Sequence, residues 1–326
     1  MSEKCAKMLA ALCLMVMMVV SQCVYGQMFP RKPIKLITGG APGSVTDSIA
    51  RPLAEKLSSL LPQPVIVENR PGAGGILAMD LVAKARPDGY TVGIATMSQL
   101  VFNSYLFAKL PYNPLHDFRP VAGLVSGPIA VAVNASVAAN SFRDLVVHVK
   151  AHPDELRYAI PQLGSPPHIV GLLVLRAAEI EMSAVPFKSA TEALRSVLSG
   201  DVPVLLEAPP IIAEHVRSGK LKALAVTGRH RDRLLPETPT LEEQGFSGIQ
   251  GDVWIGLVAP AATPDDVIAR LNTDINEALR SFELKEYLDA AGWRSTGGSA
   301  EAFASAITES HALWGKLIRE AGLHLD

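Results

Sequence analysis

The chain has 326 residues, 48% of them hydrophobic and 19% charged, which supplies full cores for about two domains and argues against disorder. A formal net charge of −2 gives no basic excess for nucleic acid, and all three cysteines (Cys5, Cys13 and Cys23) fall in the first 26 residues. Thiolate metal sites, disulfides and cysteine nucleophiles are therefore excluded from the remainder.

Residues 1–26 read as a secretory signal peptide: Lys4 and Lys7, then the uncharged run Met8–Val20, then a polar stretch with small residues ending at Gly26. The apolar run falls well short of the roughly 20 residues that span a bilayer. A lipidated Cys23 is disfavoured because Gln22 precedes it. The chain is therefore expected to be exported.

From Ile34 onward strands alternate with helical patterns, the signature of an α/β fold. Strands are expected at 34–38, 64–68, 91–96, 129–133, 156–160, 184–187, 202–206, 221–226 and 253–258. Helices are expected at 46–61, 75–85, 142–152, 168–178, 191–198, 211–217, 264–280, 284–291 and 300–320. No repeat or long polar linker separates two units, which suits two lobes joined by crossing strands better than two domains in tandem. The helical C-terminal part is expected to return to the first lobe.

Three strand-to-helix segments invite a ligand. Thr38-Gly-Gly-Ala-Pro-Gly-Ser-Val-Thr-Asp47 offers glycine amides (Gly40, Gly43) and three capping candidates (Ser44, Thr46, Asp47) at a helix N-terminus, where free N–H groups attract anions. It lacks the Gly-Lys-Ser/Thr ending of a phosphate-binding Walker loop, and on the local sequence alone a plain capped turn is the simpler reading. Asn69-Arg-Pro-Gly-Ala-Gly-Gly75 has Leu77 where a dinucleotide fingerprint needs glycine, so a Gly-rich turn is the simpler reading. In Tyr158-Ala-Ile-Pro-Gln-Leu-Gly-Ser-Pro-Pro-His168, Gly164 and Ser165 can donate, Pro166 and Pro167 cannot, and His168 reads as a helix-start residue.

Catalytic patterns are missing. There is no G-x-S-x-G or H-E-x-x-H, and His230-Arg-Asp232 stands without the companions of a kinase loop. His148 and His152 share a helix face without a visible third ligand, so a surface pair is expected rather than a metal site. No cofactor is expected.

Pro33-Ile-Lys-Leu-Ile37, Val67-Glu-Asn-Arg-Pro-Gly-Ala-Gly-Gly75, Pro87-Asp-Gly-Tyr-Thr91, Leu110-Pro-Tyr-Asn-Pro114, Ser218-Gly-Lys-Leu-Lys-Ala-Leu-Ala-Val-Thr227, Leu235-Pro-Glu-Thr-Pro-Thr240 and Gly256-Leu-Val-Ala-Pro260 follow in order. Together they resemble the tripartite tricarboxylate transporter receptor family, also called Bug-type periplasmic solute-binding proteins. The resemblance implies a two-lobed Venus-flytrap fold of the periplasmic-binding-protein class, with lobe 1 at 27–124 and 253–326, lobe 2 at 125–252, and crossings near Leu124–Pro128 and Gln250–Trp254. It implies a monomeric receptor that captures a small carboxylate for a two-subunit membrane permease. The site it implies comprises Gly40, Ala41, Gly43, Ser44, Thr46 and Asp47 in the first loop and Gln162, Gly164, Ser165 and His168 in the second. Thr96, Ser98, Lys188 and Glu207 are the further cleft-facing positions. Gly40 stands where the family usually has an aromatic residue, and the second loop is greasier and poorer in donors, which points to an aromatic or monocarboxylic acid. A ligand-sensing subunit of a signalling system is the alternative, and a secreted α/β enzyme a more remote one.

Overall fold

The computed structural model describes residues 29–152, 155–247, 249 and 251–325. The expected signal peptide, and Gln250 in the second crossing, lie outside them.

The first sheet has six strands in the order β11-β4-β10-β3-β1-β2 and the second five, β7-β6-β8-β5-β9. In the first, β1 (Ile34–Thr38), β2 (Val65–Asn69) and β3 (Thr91–Thr96) run parallel, whereas β10 (Val253–Pro260) lies antiparallel between β3 and β4 (Phe118–Gly127). In the second, β6 (Arg157–Ile160), β7 (Ser183–Pro186) and β8 (Val204–Glu207) are parallel. There β5 (Ala130–Asn134) runs antiparallel to β8 and to β9 (Leu221–Val226). The βα pattern predicts parallel pairs; the antiparallel pairs of β5 and β10 arise because these strands enter each sheet from the opposite lobe, and the edge strand β11 adds one more on β4.

Two strands escape the sequence pattern. β4 is buried along almost its whole length, but Pro120 and the glycines Gly123 and Gly127 interrupt its β signal. Pro120 is tolerated because the β10 pairing shifts register beside it, between Leu257 and Val258. β11 (Arg294–Gly297) is a polar edge strand on β4, with no apolar alternation to betray it.

Helices α1 (Val45–Leu60), α2 (Ile76–Ala83), α3 (Asn103–Leu106), α8 (Asp265–Arg280), α9 (Phe282–Ala290) and α10 (Ala300–Glu320) belong to the first lobe. Helices α4 (Phe142–Ala151), α5 (Pro166–Ala177), α6 (Ala190–Ser199) and α7 (Pro209–Arg217) belong to the second. The stripe Ile49, Leu53 and Leu57 explains α1: it is buried against the first sheet. Helices α8 and α10 do return to the first lobe, packing on β4.

Two chain crossings join the lobes, and Thr227 stitches them together. Its N–H donates to the Ile129 carbonyl (2.9 Å), and its carbonyl accepts from the Gly251 N–H (3.2 Å). Its Oγ1 accepts from the Ile129 N–H (2.9 Å) and donates to the Gly251 carbonyl (3.1 Å). Further out, Arg176 pairs with Glu320 and Arg233 with Asp289, each across the lobes. The Leu325 N–H donates to the Leu106 carbonyl (2.8 Å), which seats the Leu325 side chain against Gly164 of the second lobe.

Candidate ligand site between the lobes

At the end of β1 the chain turns through Gly39–Gly43 into α1. Ser44 is the N-cap, its Oγ accepting from the Asp47 N–H at 3.4 Å. The Val45 and Thr46 amides are left without partners inside the helix. The Thr38 Oγ1 donates to the Thr46 Oγ1 (2.8 Å), and the Ser44 hydroxyl lies 3.4 Å from the same oxygen. A Cβ on Gly40 would fall 2.0 Å from Ser44 Oγ and 2.3 Å from Thr46 Oγ1, so only glycine lets these hydroxyls pack against the backbone here.

Asp47 holds this loop in shape. Its carboxylate is 4% exposed and accepts from the Gly43 N–H (2.8 Å), Arg51 Nε (2.9 Å) and Asn69 Nδ2 (2.8 Å). Burial raises its pKa, but the hydrogen bonds from Arg51, Gly43 and Asn69 outweigh that and hold it below the usual carboxylate range. Asn69 Nδ2 also donates to the Gly40 carbonyl (2.9 Å), so the second Gly-rich segment serves as a brace for the first. The close approach is made by Gly39 and Gly75: a Cβ on Gly39 would sit 2.7 Å from the Gly75 Cα. Buried Gln99 fills the space behind both glycines and accepts from the Thr96 N–H at 2.9 Å. Asn69, Arg51 and Gln99 were not among the expected site residues. Asn69 lies in a recognised motif whose role the sequence leaves open, and Gln99 carries no sequence signal at all.

The counterpart in the second lobe leads from β6 to α5. Gly164 takes φ +73° and donates its N–H to His168 Nδ1 at 3.0 Å. Burial lowers the His168 pKa to about 4, so the ring is neutral and its proton sits on Nε2. Ser165 is the N-cap residue but makes no capping hydrogen bond, and its buried Oγ has no partner. Pro166 and Pro167 open the helix and carry no N–H.

The structure thus brings Gly40, Ser44, Thr46 and Asp47 into one cluster and Gly164, Ser165 and His168 into another. Thr96 and Ser98 adjoin the first through Gln99. Glu207 ends β8, beside β6, and is 6% exposed. Burial lifts its pKa to about 7. Ala41, Gly43, Gln162 and Lys188 lie on exposed loop surface. Asp47 is committed to its own loop.

A recess of about 210 Å³ opens at the crossings, lined by Met97, Thr227, Asp252, Trp254 and α10; none of the fourteen expected residues lines it. A larger recess of about 540 Å³ lies within the first lobe around Tyr105, Tyr112 and His311, apart from both loops. His148 and His152 meet with ring centroids 5.1 Å apart and planes tilted by 44°, beside Glu155, and no group of three potential ligands is placed to hold a metal ion among the described residues.

Two α/β lobes joined by a double crossing, with a braced helix N-terminus after the first strand, fit a solute-binding protein of the two-lobed kind. Residues 49–323 match the family model of the tripartite tricarboxylate transporter family receptor. The chain is 33% identical over 298 residues to Protein BugT of Bordetella pertussis, covering 91% of each. The structure of R. palustris Rpa4515 with adipate superposes with a TM-score of 0.81 at 30% identity, covering 91% of this chain and all of that one. MatC from Rhodopseudomonas palustris with bound malate gives 0.76 at 30% identity, covering 89% of this chain and 100% of that one. The chain belongs to the tripartite tricarboxylate transporter receptor family. Its relatives are solute-binding proteins and not enzymes.

Proposed function

We propose that this protein is exported by residues 1–26 to the periplasm, captures a small organic carboxylate between its lobes, and delivers it as a monomer to a two-subunit membrane permease. The first lobe is taken as 27–124 with 253–326 and the second as 125–252, Val125–Gly127 being the end of β4 that leads into the crossing. The observation that carries this reading is the braced cradle around Gly40. There the Ser44 and Thr46 hydroxyls pack beside a residue that must be glycine, at a helix start whose first amides have no partner inside the helix. Gly40, Ala41, Gly43, Ser44 and Thr46 hold the carboxylate, and Asp47 acts through the loop it fixes. Gln162, Gly164, Ser165, His168, Lys188 and Glu207 close on the ligand from the second lobe, with Thr96 and Ser98 beside the cradle. The relatives solved with adipate and malate support a carboxylate. The donor-poor loop of the second lobe favours a monocarboxylic or aromatic acid.

Exported protein, refolded to strip any bound solute, should rise in melting temperature with one class of carboxylate in a panel of aliphatic, aromatic and amino acids. Folded protein that responds to no acid in the panel would overturn the proposal.

A further inference from the structure

The loop that joins β6 to α5 belongs to the second lobe but rests on the first. Gln162 and Leu163 in it are exposed, whereas Gly164 is buried. What covers Gly164 comes from the first lobe: a Cβ placed there would sit 2.6 Å from Leu325 Cδ1 and 2.8 Å from Leu106 Cδ1. Leu106 ends α3 and is 1% exposed. Leu325 lies beyond α10, is half-buried, and donates its N–H to the Leu106 carbonyl at 2.8 Å, so the two leucine tips form one apolar seat. Position 164 must be glycine on two counts: a side chain would enter the seat, and its φ of +73° disfavours any residue with a Cβ.

The seat is the first of three contacts along α5. In mid-helix Val170 lies against the second crossing, where a Cβ on Gly251 would sit 2.9 Å from Val170 Cγ1 and 2.8 Å from Thr227 Cβ. In the last turn Arg176 pairs with Glu320, the last residue of α10. The side chains of that pair are 54% and 42% exposed, a setting in which an ion pair is worth little. The apolar seat is therefore what holds the start of α5 to the first lobe. It fixes the residue whose N–H donates to His168 Nδ1 at 3.0 Å, and so the shape of the whole loop.

Resting on the receptor reading above, we propose that Leu325 is a positioning residue for ligand capture: with Leu106 it clamps the β6–α5 loop at Gly164 and fixes that loop relative to the first lobe, where the carboxylate cradle lies. Leu325 acts through Gly164 and not by contact with the solute. A receptor's apparent affinity scales with the fraction of molecules whose site is assembled, so emptying the seat weakens binding without removing a ligand contact. A leucine that only completed the core of the first lobe would, when altered, leave the loop of the second lobe undisturbed.

The test compares three variants of refolded exported protein. Leu325→Asp puts a charge where two leucine tips meet and should empty the seat; Leu325→Ala should loosen it; Leu325→Met keeps its volume and should restore it. Hydrogen exchange of ligand-free protein should quicken over residues 160–169 in the order Asp, Ala, Met, while β1 and β3 exchange as in the wild type. In calorimetric titration with adipate, malate and benzoate, any acid that binds the wild type should bind Leu325→Asp about tenfold more weakly and Leu325→Met almost unchanged. The proposal is overturned if exchange over 160–169 is the same in Leu325→Asp as in the wild type. It is equally overturned if exchange quickens there and affinity for a bound acid does not fall. If neither these acids nor the wider panel bind the folded wild type, the receptor reading fails and the role in capture falls with it, while the exchange result still decides whether Leu325 holds the loop.

Discussion

The β1–α1 loop and the β6–α5 loop occupy equivalent places, each leading from a parallel strand into a helix of its own lobe, yet they are built by opposite means. The first is held by charge: buried Asp47 gathers Gly43, Arg51 and Asn69, and Ser44 caps its helix. The second is held by a neutral imidazole and two prolines. His168 accepts from Gly164, the prolines replace free amides, and the cap position carries a hydroxyl that bonds nothing. The difference separates anion affinity from selectivity. A loop whose own carboxylate is fully paired leaves its helix amides and hydroxyls to a ligand anion, whereas a loop poor in donors contributes shape and a few demanding atoms.

The largest effect is expected from breaking the charged brace. Asp47→Ala removes the common acceptor of three donors in a nearly buried position and should cost about 3 kcal/mol of stability in denaturant unfolding. Carboxylate binding should fall with it, because Gly43 and Asn69 lose their anchor. A variant as stable as the wild type would show that the loop is held by something else.

The neutral brace is sharpened by pH. His168 is lowered from 6.5 to about 4 in the fold, so the unfolded chain takes up its proton first and stability is lost as pH falls from 6.5 through 4. Glu207 is raised from 4.5 to about 7, so its contribution is full below 4.5 and is lost as pH rises through 7. Between 4.5 and 6.5 the two slopes oppose each other. Urea unfolding across that window should therefore show His168→Gln gaining stability on acidification and Glu207→Gln losing it. Each slope should approach about 1.4 kcal/mol per pH unit. Parallel curves for wild type and both variants would refute the assignment.

Much of the contrast was legible in the sequence. The strand–helix alternation gives the α/β lobes, Gly40–Asp47 reads as an anion-binding helix start, and Pro166-Pro167 announces a loop with few amides. What escaped was long-range. Asp47 read as a possible ligand contact because its partners come from Arg51, one helical turn on, and from Asn69 on another strand. Gln99 owes its place to packing against Gly39 and Gly75, which no local pattern encodes. β4 was hidden by Pro120 and two glycines, although burial makes it a central strand. Periodicity reports which face of an element is buried; it does not report which distant polar atom will meet another.

The smallest effect discriminates best between the two loops, because it compares one residue type at one helical position. Ser44 and Ser165 are both N-cap residues. Ser44 Oγ receives the Asp47 N–H, so Ser44→Ala should cost about 1 kcal/mol in unfolding. Ser165 Oγ receives nothing, and the first two helical positions after it are prolines, so the usual reason for a serine there is absent. Ser165→Ala should therefore leave stability unchanged within about 0.5 kcal/mol, or raise it slightly by relieving a buried, unpaired hydroxyl. Equal losses in the two variants would mean that Ser165 caps its helix in solution. Its hydroxyl would then be spent on the fold and not left to a ligand.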